Sequence, residues 1–163
     1  MKKLVALLLA ALMALGSVAA FAEPAESPAI VTTVSIDGII ADNAADGVAA
    51  LAAKLAELGV YGFVAPETAD ALKAIFGEAE VEVNEVFAFT RFDASGDLKL
   101  DFTFPTPYRA DKKVAMVVLL PNAETVFEGA ANDAGAVTVN FDAATVDAIH
   151  ANIPVFAFVV NEK

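Results

Sequence analysis

Asp93, Ser95, Asp97 and Asp101 offer side-chain oxygens at alternate positions of the segment DASGDLKLD. Ligands of that kind suit a hard cation such as Ca²⁺, which accepts oxygen donors in a flexible geometry. The spacing differs from an EF-hand loop, because Gly96 comes too early and no distal bidentate Glu follows. Asp, Ser and Gly also make tight turns for purely local reasons, by side-chain hydrogen bonds and by positive φ. Calcium is therefore a candidate cofactor at these four residues, beside the alternative of a plain turn with no cofactor.

A second acidic group is Glu78, Glu80, Glu82 and Glu85. Glycoside hydrolysis needs two carboxylates held across a cleft, one of them with a raised pKa. Here Glu80 and Glu82 alternate with Val81 and Val83, which is the pattern of a strand with a solvated face. His150 is the single histidine and cysteine is absent, so a zinc or Ser-His-Asp site would have to be built around one imidazole. None of Ser27, Ser35 and Ser95 lies in a Gly-x-Ser-x-Gly elbow. A phosphate loop, a dinucleotide fingerprint and a His-Glu-x-x-His motif are all missing. Tyr108 and Arg109, after Pro105 and Pro107, form a candidate contact patch on a loop. A stacking platform for sugars has little to draw on, since Trp is absent and Tyr61 and Tyr108 are the only tyrosines.

The elements that must position these residues are mostly strands. Leu98, Leu100, Phe102 and Phe104 alternate with Lys99, Asp101 and Thr103, giving one dry and one wet face. With Val86–Phe92 before the Asp-Ala-Ser-Gly-Asp link, the pattern predicts a β-hairpin over residues 86–104. Val81 and Val83 precede a change of parity at Asn84-Glu85, the mark of a bulge. Val114–Leu120 and Ile153–Val160 are apolar on both faces, as in strands covered on two sides. Thr125–Phe127 reads as a short strand, and Asn132–Gly135 as a turn into the alternating strand Val137–Phe141. Asp142 can cap a short helix that runs through Ile149 to a stop at Asn152.

The front of the chain has another period. Val48, Leu51, Ala52, Leu55 and Leu58 recur at helical steps, with Asp42 or Asn43 as cap and Gly59 as stop. A second helix is expected from a Thr68 cap to Gly77, and Ala29–Ile36 is a β-branched strand before the Asp37-Gly38 turn. The reading is α+β. A small helix-containing section, residues 29–78, packs on an antiparallel β-sandwich over residues 79–163, immunoglobulin-like in architecture. The Cys pair and the Trp of antibody domains are missing from it.

Residues 1–22 have the form of a secretory signal peptide. Lys2 and Lys3 precede the apolar run Leu4–Leu15, and Ala20-Phe21-Ala22 offers small residues where signal peptidase reads, so cleavage is expected after Ala22. Residues 23–28 then form a Pro-containing tether. The expected destination is periplasmic or extracellular, with no membrane insertion of the mature chain. The formal charge is −12, and loss of Lys2 and Lys3 makes it two units more negative. Such a surface repels nucleic acid and anionic lipid, and it admits cationic partners. The functional expectation is a secreted, non-catalytic binding or structural module with a protein or glycan partner. The alternatives are a carboxylate-dependent hydrolase and a subunit assembling through an exposed sheet edge, with Ile153–Val160 as the strand.

Overall fold

The periodicity of the front section becomes three helices. These are α1 (Ala44–Leu58), the single turn α2 (Val60–Phe63) and α3 (Pro66–Phe76). The computed structural model describes residues 34–36, 39–41, 44–92, 94–103 and 108–163. The expected signal peptide (residues 1–22), the expected tether (23–28), residues 29–33, the expected Asp37-Gly38 turn and the expected Asp42 or Asn43 cap lie outside the described residues, as do Asp93 and residues 104–107. Before α1, β1 (Val34–Ile36) and β2 (Ile39–Ala41) pair antiparallel.

α1 buries Gly47, Leu51 and Leu55 on one stripe. A side chain at Gly47 would collide with the ring of Phe156, so glycine lets the helix sit close on the sheet. Two expected members of the stripe face water: Ala52 is exposed, and Leu58 is 48% exposed. Leu58 is the last residue of α1, where the next segment turns away. α3 starts two residues ahead of Thr68, because Pro66 sits in its first turn, where a missing N–H does no harm. Thr68 is buried inside the helix instead of capping it. Gly77 ends α3 as expected.

The remaining strands are β3 (Val81–Phe89), β4 (Leu98–Phe102), β5 (Val114–Leu120), β6 (Ala123–Ala131), β7 (Val137–Phe141) and β8 (Val155–Glu162), with α4 (Ala143–Ala151) between the last two. They form one antiparallel sheet in the order β3-β8-β5-β6-β7-β4. The α+β class stands. The six strands run in a single curled half-barrel, where two stacked sheets of an immunoglobulin-like sandwich were expected.

The difference arises in β6. Thr125–Phe127 is the middle of a nine-residue strand, which pairs with β5 up to Gly129 and with β7 from Ala130. One strand thus serves both wings of the sheet, and it changes partner at a glycine, where a tight bend costs least. The expected 86–104 hairpin is also absent. β3 pairs with β8 and β4 with β7, at opposite edges, and residues 90–97 connect them. The curl nevertheless brings the two dry faces together, with Phe87 and Phe102 ring centroids 5.9 Å apart.

Two cores result, one on each face. Leu51, Leu55, Leu72 and Phe76 of the helices cover Val117, Phe156 and Phe158. Inside the curl, Phe89, Met116, Val139, Phe141 and Val159 meet Val146 and Ile149 of α4. This explains why β5 and β8 are apolar at nearly every position. The register slip between Val83 and Glu85 is the expected bulge. It moves the helix-facing positions from Val81 and Val83 to Val86 and Ala88, and turns Phe87 and Phe89 into the curl.

Candidate functional site

Of the four candidate cation ligands, Ser95, Asp97 and Asp101 are among the described residues. Asp93 lies outside them, and Ser95 and Asp97 are exposed in the loop before β4. The Asp97 carboxylate accepts the backbone N–H of Ala143 at 2.9 Å, at the start of α4. A carboxylate there is favoured by the helix dipole. Asp101 sits on β4 opposite Thr138 of β7 and accepts the hydrogen bond of its hydroxyl. Among the described residues no group of three or more His, Cys, Asp or Glu is placed to hold a metal ion.

Tyr108 departs from the expected loop patch. Its side chain is 6% exposed and belongs to the core inside the curl. Burial, with Glu85 and then Glu82 nearby, raises the pKa of its hydroxyl far above the usual phenol range, while the neighbouring Asn84 side chain acts in the other direction. The buried aromatic ring carries its polar end to the bulge of β3. Arg109 is exposed and forms a two-pronged pair with Asp111, at 2.9 and 2.7 Å. Tyr108 and Arg109 therefore do not make one surface.

The carboxylates spread along the sheet margin. Glu78, Glu80 and Glu82 are exposed and Glu85 is half-buried. Lys163 lies 3.6 Å from Glu80, and Asn161 donates to Glu82 at 3.2 Å. Among the described residues no carboxylate is buried; Thr68 and Thr145 are the buried polar side chains. His150 is exposed in the last turn of α4, where the helix C-terminus favours a cation.

The geometry brings together a feature that the motif reading missed. A groove of about 650 Å³ runs between α1 and β3. Val48, Ala49 and Ala52 form one wall and Val81, Val83 and Val86 the other, with Glu82 and Lys163 at the rim. The groove follows the outer edge of β3, with which no other strand pairs among the described residues. Along residues 81–86, the backbone N–H and C=O groups of alternate residues, those not used in the ladder with β8, point outward. The available sequence signal was Ala45, Ala49, Ala52 and Ala56, small residues at four- and three-residue steps on the exposed side of α1.

The edge expected at Ile153–Val160 is not open. β8 lies between β3 and β5, and both partners take up its hydrogen bonds. An apolar run near the C-terminus reads the same whether it is central or peripheral. Comparison with family models, with curated proteins and with solved structures finds no match for this chain.

Proposed function

We propose that this chain is an exported, non-catalytic binding module that captures an extended segment of a partner along β3. The observation that carries the reading is the edge of β3, unpaired among the described residues, beside an apolar groove. An added strand gains main-chain hydrogen bonds from such an edge, and alternate side chains enter the groove. The signal-like residues 1–22 support export, with Glu23 as the mature N-terminus. The carboxylate-dependent hydrolase has less behind it, because it needs a partly buried acid and a second carboxylate across a cleft. Glu85, the half-buried member of the acidic group, shares β3 with the exposed Glu82, on one strand rather than across a cleft.

Selection of displayed random peptides against the mature protein tests the reading. Enriched sequences should alternate apolar with polar residues, and Ala49→Glu, on an exposed helix position, should abolish their binding without changing the thermal melt. Selected peptides that bind Ala49→Glu as well as the parent protein would place the binding surface elsewhere.

A further inference from the structure

We infer that the segment captured along β3 is cationic: an extended strand in which apolar residues alternate with Lys or Arg. This rests on the groove reading above and adds the partner's chemistry to it. Val81, Val83 and Val86 turn toward the helix layer, so the strand's apolar residues go to that side. Glu82 lies between Val81 and Val83, and Glu85 precedes Val86, so both take the opposite face of β3, the side of the curl. Residues directly opposite across an antiparallel pair have Cβ atoms about 5 Å apart, where opposite charges attract and like charges repel. Each of these glutamates is thus a position at which an added strand meets negative charge.

The counter-charge at this margin is small. Among the described residues Lys163 stands at the groove rim and already lies 3.6 Å from Glu80. Lys54 on α1 pairs with Glu57 at 3.3 Å. A second copy of this chain is a poor occupant for the same reason. Antiparallel pairing of β3 with its own copy would gather two sets of Glu82 and Glu85 on one ribbon, between chains of formal charge −12 each. A basic strand neutralises that charge, and its encounter is accelerated by the acidic field.

Binding of labelled synthetic peptides to the mature protein, followed by fluorescence anisotropy, decides the matter. Three peptides of equal length alternate Val with Lys, with Gln or with Glu, and a fourth alternates Gly with Lys. The Val–Lys peptide should bind about tenfold or more tightly than Val–Gln, and Val–Glu more weakly still. The advantage should shrink severalfold between about 20 and about 300 mM salt. Gly–Lys should bind far more weakly than Val–Lys. The double variant Glu82→Gln/Glu85→Gln should bring Val–Lys down to the level that Val–Gln shows on the same variant.

Equal binding of Val–Lys and Val–Gln, both lost in Ala49→Glu, would overturn the cationic preference and leave the groove reading standing. Binding of none of the peptides, or binding indifferent to Ala49→Glu, would sink the groove reading itself. Gly–Lys binding as well as Val–Lys would reduce the interaction to bulk charge and overturn the alternation. A dimer in sedimentation that Ala49→Glu dissolves would make a second copy the occupant and overturn the proposal.

Discussion

Tyr108 shows how one side chain can be misplaced by its neighbours in sequence. Next to prolines and an arginine it reads as a loop contact, yet the ring fills the curl and its hydroxyl meets Asn84 at the bulge. Only the sheet brings residues 84 and 108 together. The consequence can be measured by alkaline titration. A phenol whose folded pKa exceeds its unfolded value, near 10, contributes stability in full below that pH. The contribution is lost as pH rises from there toward the folded value. Tyr61, 38% exposed and raised less by burial, should ionise first. Phenolate absorbance should therefore rise in two steps, the later one coinciding with loss of the fold. Tyr61→Phe should remove the early step alone. A single step for both tyrosines in the folded protein would contradict the burial of Tyr108.

At the level of elements, α3 is held from both ends by the hairpin of β5 and β6. Glu124 on β6 accepts the N–H of Ala65 at 2.9 Å, at the helix N-terminus. Lys113, just before β5, donates to the carbonyl of Ile75 at 2.6 Å, near the C-terminus. Both charges have the sign that the helix dipole favours. The expected Thr68 cap is replaced by a carboxylate 59 residues away, so the helix start is completed by a tertiary contact. Glu124→Ala should lower stability by about 1–2 kcal/mol in urea unfolding. Glu124→Gln should lose less, because the amide oxygen still accepts. Equal losses for the two would mean that packing, not the hydrogen bond, holds α3. By contrast α4 has a local cap: Asp142 accepts from Thr145 N at 2.7 Å, and the Thr145 side chain together with that N–H holds its carboxyl below its usual range. That cap was legible because both partners lie within one turn.

The curl of the six-stranded sheet depends on β6, which changes partner after Gly129. Gly129 lies opposite Val114, and a Cβ there would stand 2.7 Å from Val137 Cγ1 and 3.4 Å from Val114 Cγ1. Both valines are fully buried and cannot yield cheaply. Gly129→Ala should destabilise by about 1–3 kcal/mol in the same unfolding measurement, as over-packing does. Adding Val137→Ala should recover part of the loss, since the two side chains compete for one space. Strict additivity would show that backbone freedom, and not crowding by Val137, requires the glycine.

The amino-acid sequence by itself determined what depends on near neighbours. The helix α1 with Leu51 and Leu55 on its buried side, the Gly77 stop, the bulge after Val83, the doubly apolar β5 and β8, and the Asp142 cap all follow from periods and turn chemistry within a few residues. Alternation says which face of a strand is dry, but not which strand lies beside it. Hydrogen bonds along a strand edge are made by backbone groups that every residue carries alike, so pairing leaves little local trace. The tertiary structure alone decided that β3 and β4 stand at opposite edges, that β8 is central, and that β6 is shared between the wings. The candidate site belongs to that second class. Val81, Val83 and Val86 carry an ordinary strand pattern, and they become a groove wall only because α1 lies beside an edge left unpaired among the described residues.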